Sequence, residues 1–147
     1  MPPIVHSIEI DRPPDEVFSY VTDPARFVEW QYDVLSVRLE GSRPPSVGSR
    51  FTTTRRIGRA ERTMIQEITE INPPTSWAAY GVGGPIRPSA NVTIEPLKHS
   101  TRSRVTFALD FKGHGIGMPL VPIIRRIAAK GAPKSYQNLK KRLENGD

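Results

Sequence analysis

The spacing of apolar residues changes along this chain in a way that restricts its fold class. Between residues 34 and 112 apolar and polar residues alternate in successive segments, which is the period of half-buried strands. On the clearest segment, residues 102–112, every second position is apolar: Val105, Phe107, Leu109 and Phe111. From Met118 onward the apolar residues instead recur every three or four positions, as on one face of a helix. The pattern predicts a sheet followed by one long amphipathic helix.

Proline and glycine divide the first part of the chain into short elements. Residues 4–11 alternate as a strand does, and Pro13-Pro14 with the acids beside them are typical of a first helical turn. Asp23-Pro24 ends that helix and begins a second short one that ends near Trp30. We therefore predict one strand and two short helices before the sheet continues, with later strands at 34–40, 49–57, 61–71, 76–82, 89–95 and 102–112.

The segment 61–71 is compatible with a strand or a helix by composition. The closing Asn72-Pro73-Pro74 and the strand-like neighbours favour a strand. Its phase stays open, because Met64, Gln66 and Ile68 share one face while Ile65 and Glu67 share the other.

Short connections between neighbouring strands predict an antiparallel meander. The sheet needs a cover for its apolar face, and the C-terminal helix is the one long amphipathic element that remains. We expect Gly131 and Pro133 to bend this helix or to split it near its middle. A curved sheet wrapped around one helix leaves a concavity that the helix does not have to fill completely.

The composition excludes several classes of chemistry. A chain of 147 residues predicts a single domain spanning residues 1–147. The chain contains no cysteine, which excludes disulfides, thiolate nucleophiles, cysteine zinc sites and iron–sulfur ligation. The apolar runs are too short to span a bilayer and no secretory leader is visible, so the expected location is cytoplasmic.

The net charge of +6 is unevenly distributed. The bases concentrate in residues 50–62 and 119–147, whereas residues 1–49 are acidic. The basic C-terminal helix raises the hypothesis of an interaction module for an anionic surface. Its apolar stripe is needed for the core and aromatic interleaving is absent, which favours a solvated basic face. We therefore expect no nucleic acid partner and no membrane-surface partner.

The order and spacing of several short motifs resemble the START-like/Bet v 1-like (SRPBCC) superfamily, in its polyketide cyclase/dehydrase branch. These motifs cover nearly the whole chain: IEIDRPPDEV (8–17), Asp23-Pro24, WQYDVLSV (30–37), GSRF (48–51), ITEINPP (68–74), RVT (104–106) and NLKKRLE (138–144). The resemblance implies an α+β helix-grip fold, in which a seven-stranded antiparallel sheet wraps around the long C-terminal helix. It also implies an apolar pocket between the two, in which relatives bind lipids, hormones or polyketides.

The strand phases and the resemblance together select a set of pocket residues. The resemblance assigns the pocket-lining aromatic to Trp30, although a purely structural role between helix and sheet is also open. The expected ligand-binding set is Trp30, Tyr32, Phe51, Thr53, Ile68, Trp77, Val92, Phe107, Leu109, Phe111, Ile124 and Ile127.

Four polar residues are candidates for catalysis. Arg55 follows Phe51 and Thr53 on one strand face, so it lies near the pocket if Phe51 points inward; the alternative is a solvated basic patch with Arg56, Arg59 and Arg62, which we favour slightly. Relatives that cyclise polyketides use a basic or polar residue in the region of Gln66 and Glu67, and a buried Glu67 would act as a base. His6 shares a strand face with isoleucines, where a satisfied barrel histidine is the preferred interpretation.

The remaining motifs indicate no cofactor or metal. The histidines lack metal-ligand spacing. The glycine-rich segment 113–117 follows an antiparallel strand and lacks a nucleotide-binding context, so it is a connector or a pocket lid. Residues 81–85 form a second glycine-rich turn. The sequence thus predicts a monomer or homodimer that binds a small hydrophobic molecule, with a polyketide cyclase or dehydratase as the alternative.

Overall fold

The computed structural model describes residues 2–41 and 44–146 as one sheet packed on one long helix. A first strand, β1 (Ile4–Ile10), leads into the short helices α1 (Pro14–Val21) and α2 (Phe27–Trp30), with a 3-10 turn (Pro24–Arg26) between them. Six strands follow: β2 (Val34–Glu40), β3 (Arg50–Ile57), β4 (Ala60–Asn72), β5 (Ser76–Gly83), β6 (Ile86–Leu97) and β7 (Arg102–Gly113). A 3-10 helix (Gly115–Leu120) then leads into α3 (Val121–Asn145).

The seven strands form one antiparallel sheet in the order β1-β7-β6-β5-β4-β3-β2. Consecutive strands from β2 to β7 are neighbours, and β1 closes onto β7 with Ile8 opposite Val105. The predicted helix-grip architecture is confirmed, including the seven strands, the two short helices after β1 and the long C-terminal helix. The ambiguous segment 61–71 is part of β4.

The C-terminal helix is not split at Gly131 and Pro133, which corrects one of the two expected outcomes; a bend there stays a prediction. The helix α3 runs without interruption through both residues. Proline removes one backbone donor, but Pro133 is exposed, and packing of the buried Ala132, Tyr136 and Leu139 on the sheet stabilises the helix on both sides.

Two apolar clusters lie between sheet and helix. The larger one joins α1, α2, the middle of the sheet and the second half of α3 through residues such as Val17, Phe51 and Leu139. The smaller one is formed by Ile57, Met64, Ile86 and Ile124 near the start of α3. The two clusters therefore hold α3 at both of its ends.

The last turn of α3 is fixed to the connection between β1 and α1. The backbone N–H of Asp11 donates to a carboxylate oxygen of Glu144 over 2.8 Å, and Arg12 donates to the backbone carbonyl of Glu144 over 2.8 Å. Although burial alone raises it, the pKa of Glu144 is held below its ordinary value by the Asp11 hydrogen bond and by the Lys140 ammonium. This contact fixes the helix along the concave face of the sheet.

Candidate ligand-binding cavity

A partly open cavity of about 120 Å³ lies between the sheet and α3. Its wall is contributed by α2 and the loop after it, by strands β3 to β7 and by α3. Eight of the eleven aromatic side chains of the protein line it: Phe27, Trp30, Tyr32, Phe51, Trp77, Phe107, Phe111 and Tyr136. The wall is therefore suited to a flat, apolar molecule.

The aromatic rings of the wall contact one another in a continuous chain. Phe27 meets Trp30, Phe51 and Trp77 edge-on, with centroid distances of 6.0, 5.7 and 6.2 Å. Phe107 lies 6.0 Å from Trp30 and stacks on Tyr136 at 4.1 Å. Because neighbouring rings fix each other, the wall is preorganised and a ligand does not have to order it.

Two residues of this wall each carry a buried hydrogen-bond donor that has no partner within residues 2–41 and 44–146. The donors are the indole Nε1–H of Trp30 and the hydroxyl of Tyr136, and each residue is 4% exposed. Burying a donor without a partner costs about 1–3 kcal/mol, so such groups are uncommon in folded proteins. Burial also raises the pKa of Tyr136, against a smaller opposing effect of Arg55, so the phenol stays protonated and can donate.

An arginine lies at the polar side of the cavity. Arg55 donates from Nη1 to Asp33 Oδ1 over 2.9 Å and from Nη2 to Gln31 Oε1 over 2.6 Å. All three residues line the cavity, and the pair with Asp33 balances the charge of Arg55. The preferred sequence interpretation, which placed Arg55 in a solvated patch, is corrected, because Phe51, Thr53 and Arg55 all face the helix.

Tyr32 lies where the cavity opens to solvent. It lines the cavity yet is exposed, its backbone N–H donates to Ser135 Oγ over 3.1 Å, and its ring lies 5.4 Å from the Lys134 ammonium. A Cβ added at Gly131 would lie 2.0 Å from the Tyr32 hydroxyl oxygen. Gly131 thus makes room for Tyr32 to lie across α3 at the opening.

The structure brings ten of the twelve expected ligand-binding residues to the cavity wall: Trp30, Tyr32, Phe51, Trp77, Val92, Phe107, Leu109, Phe111, Ile124 and Ile127. Thr53 and Ile68 are completely buried but do not line it. They belong to the buried interior around the cavity and not to its wall.

Of the four catalytic candidates, two line the cavity and two lie outside it. Gln66 is buried and lines the cavity with Arg55. Glu67 lies on the other face of β4, where it pairs with Arg50 at 3.1 Å, so it is not a base in this cavity. His6 is half-buried on β1 with its ring 5.8 Å from that of Tyr136, and it does not line the cavity.

Sequence reasoning did not select several polar residues of the wall. Tyr136 lies between Ala132 and Leu139 at helical spacing, which predicts a packing role, and its hydroxyl was the available signal for a functional one. Gln31 and Asp33 lie in an aperiodic loop, and their contact with Arg55 depends on how α2 enters β2. No sequence period could have placed these two residues.

The described residues contain no group of three or more His, Asp or Glu that could hold a metal ion. Across the same residues, no helix has the length and apolar character needed to cross a membrane.

Comparison with known proteins assigns the family. Residues 1–144 match the family described as "Polyketide cyclase / dehydrase and lipid transport", and the chain belongs to this family. Among proteins with curated functions, none matches the sequence significantly.

Solved structures with the same fold are distant in sequence. A START superfamily protein from Mycobacterium smegmatis has a TM-score of 0.82 and 13% identity, with complete coverage of both chains. TTHA0849 from Thermus thermophilus has a TM-score of 0.81 and 13% identity over 99% of each chain. The di-domain ARO/CYC BexL, from the BE-7585A biosynthetic pathway, has a TM-score of 0.72 and 17% identity; 98% of this chain covers 47% of that one. At these identities the similarity shows the fold.

Proposed function

We propose that the protein binds a small, mainly apolar molecule that carries at least one hydrogen-bond-accepting oxygen. The observation that carries this proposal is the pair of unpartnered donors, Trp30 Nε1–H and Tyr136 O–H, on two residues of a mainly apolar wall. An acceptor such as a carbonyl oxygen would satisfy donors whose burial otherwise costs free energy. A plain hydrocarbon would fill the cavity, but the two donors would stay unpaired and the free-energy cost of burying them would remain.

The cavity volume limits the size of the ligand. An apolar cavity of roughly 150 Å³ accommodates benzene, and this one has about 120 Å³ in the form described. A single ring, alone or as the end of a longer molecule that leaves past Tyr32, suits this space, and a two-ring molecule would extend into the opening. The family description, with its lipid and polyketide functions, supports the same class of ligand.

A polyketide cyclase or dehydratase is the second candidate. The specific observation in its favour is that Arg55, Gln66 and Tyr136 line one cavity, where donors could polarise a carbonyl as enolate character develops. Asp33 is the carboxylate among the residues that line the cavity, which makes it the group to test as a base. The ARO/CYC relatives of the same fold lend this candidate support.

Two measurements test ligand binding. Native mass spectrometry of gently purified protein should show a copurified molecule, and 1-tetralone should raise the melting temperature as a ligand of the folded state does. A melting temperature that no flat aromatic ketone changes, together with a purely unliganded mass, would remove the binding proposal.

Catalysis is tested by incubation with a poly-β-ketone substrate. Tyr136→Phe and Arg55→Met should each reduce turnover by about a hundredfold if these groups stabilise the developing oxyanion. Binding without turnover would leave the protein as a carrier.

A further inference from the structure

Three turns of the chain meet at the end of the molecule where α3 begins. They are joined by the smaller apolar cluster, in which Ile57 of β3, Ile86 of β6 and Ile124 of α3 are buried together. A Cβ added at Gly58, in the turn between β3 and β4, would lie 3.7 Å from Ile127 of α3. The backbone N–H of His114 donates to the Pro85 carbonyl over 2.9 Å, which ties the β5–β6 turn to the segment before α3.

The whole net charge of the protein resides at this end. We call it the basic end and define it as residues 56–65, 81–88 and 110–130. These segments contain eight Arg or Lys residues and two acids, whereas the rest of the chain contains thirteen of each. The formal charge of +6 is therefore a property of one end of the molecule and not of the surface as a whole.

Most bases of the basic end have no carboxylate partner. Its two acids are already paired, Glu61 with Arg56 and Asp110 with Arg125. Arg87 and Lys112 lie directly opposite each other on β6 and β7, where like charges destabilise a sheet. Within residues 2–41 and 44–146, no carboxylate pairs with six of the bases: Arg59, Arg62, Arg87, Lys112, Arg126 and Lys130.

Large aliphatic side chains project from the same end. Ile116 is 83% exposed, Met118 is 64% exposed and Ile123 is 57% exposed. None of the three belongs to either apolar cluster. The helical stripe that the sequence predicts for the core includes Ile124 and Ile127, and these three residues lie outside it.

We propose that the basic end is a docking surface for an anionic lipid bilayer. The three aliphatic side chains enter the interfacial layer, and the unpaired bases around them contact lipid phosphates, which is the pattern of peripheral membrane attachment. This reverses the expectation drawn from the sequence, where the bases were placed on a solvated face and no membrane-surface partner was expected.

The chemistry of this end favours lipid over other anionic partners. Proteins that hold single-stranded nucleic acid stack its bases on aromatic side chains, and the exposed apolar residues here are all aliphatic. Docking would also bring the cavity close to the bilayer, because Phe111, Ile124 and Ile127 line the cavity from this end of the molecule. The docking proposal goes beyond ligand binding and does not depend on it.

Vesicle co-sedimentation tests the proposal with the full chain. Vesicles of phosphatidylcholine with a third phosphatidylglycerol should bind the protein at low salt, vesicles of phosphatidylcholine alone should bind it much less, and added salt should weaken binding. The double variant Arg59→Gln/Arg126→Gln should weaken partitioning about fivefold for each base removed. Ile116→Gln/Ile123→Gln should weaken it by at least about tenfold.

A matched control uses exposed apolar residues elsewhere on the surface. Leu35 is 46% exposed and Val47 is 61% exposed, and Leu35→Gln/Val47→Gln should leave vesicle binding unchanged. Unchanged circular dichroism and melting temperature verify that each variant is folded. All substituted residues lie outside the cavity wall, so the response to 1-tetralone should be kept throughout.

Three results would overturn the docking proposal. The first is absence of binding to anionic vesicles at low salt by folded protein. The second is an equal loss of binding in the control variant. The third is binding of a soluble polyanion such as polyglutamate as tightly as the vesicles and independently of Ile116 and Ile123, which would assign the surface to an acidic protein.

Discussion

At the scale of single residues, Trp30 and Tyr136 have two roles: their rings stabilise the fold, and their donor atoms are available for a ligand. Trp30 and Tyr136 pack as aromatic bodies, and neither Nε1 nor the hydroxyl contributes a hydrogen bond inside the described part of the chain. A buried donor without a hydrogen-bond partner, on a residue that lines a cavity, indicates a ligand that accepts the hydrogen bond.

We expect Trp30→Phe and Tyr136→Phe to change the free energy of unfolding differently. Tyr136→Phe removes only the oxygen, so the free energy of unfolding should stay the same or rise by up to about 1 kcal/mol, because an unpaired buried group is lost. Trp30→Phe also shortens the ring and should cost about 1–2 kcal/mol through lost packing. Urea denaturation of the ligand-free protein measures both. A loss above about 2 kcal/mol in Tyr136→Phe would show that the hydroxyl has a structural partner.

At the scale of elements, contacts at the C-terminal end of α3 help to fix its position against the sheet. Glu144 holds the C-terminal end through the Asp11 backbone and Lys140, which lower its pKa. A carboxyl whose pKa is lower in the folded state contributes stability that is complete above its unfolded pKa, near 4.5, and disappears as the pH falls through the folded value.

Glu144→Gln should therefore destabilise the protein by about 1 kcal/mol at pH 7 and progressively less below about pH 4.5. Parallel denaturation curves of variant and wild type between pH 3 and pH 7 provide the test. Glu40→Gln, at an exposed position of β2, is the control and should have a smaller effect at every pH. A Glu144→Gln difference that is constant down to pH 3 would contradict this role of the charge.

We expect Gly131 and Tyr32 together to control the opening between α3 and the loop after α2. In Gly131→Ala the added methyl displaces the tip of Tyr32, an exposed and flexible side chain, while alanine favours the helix by roughly 0.5–1 kcal/mol. We expect stability to be kept or improved, and the dissociation rate of 1-tetralone to increase severalfold in stopped-flow fluorescence. Tyr32→Ala should reproduce the faster dissociation. Unchanged rates in both variants would rule out an opening at Tyr32.

At the scale of the whole molecule, the fold could be predicted from the sequence because the spacing of apolar residues differs between the strands and the helix. The alternation on β7 and the three-and-four spacing on α3 leave few architectures, and the family resemblance supplied the strand count. Positions within an element were harder to predict. On β4 both faces carry isoleucines, so the alternation in the sequence did not select the inner face, and only the structure could place Gln66 inward and Glu67 outward.

Surface features that depend on several elements were beyond sequence reasoning. The helical period of α3 includes Ile124 and leaves out Ile123, which are 2% and 57% exposed, but it does not show what lies beside the exposed residue. That depends on where the β3–β4 and β5–β6 turns meet α3. The accumulation of the net charge at one end has the same origin, because bases from distant segments become neighbours only in the folded chain.

The central claim is that the cavity selects an apolar molecule by its acceptor oxygen, and one comparison tests it most directly. The dissociation constants of 1-tetralone and of tetralin, which lacks the carbonyl oxygen, are measured by titration calorimetry for the wild type and for Trp30→Phe/Tyr136→Phe. We predict that the wild type prefers the ketone by at least about tenfold, the value of one hydrogen bond to a buried donor, and that the double variant binds both alike. Equal affinities in the wild type, or a preference that survives in the double variant, would contradict the account.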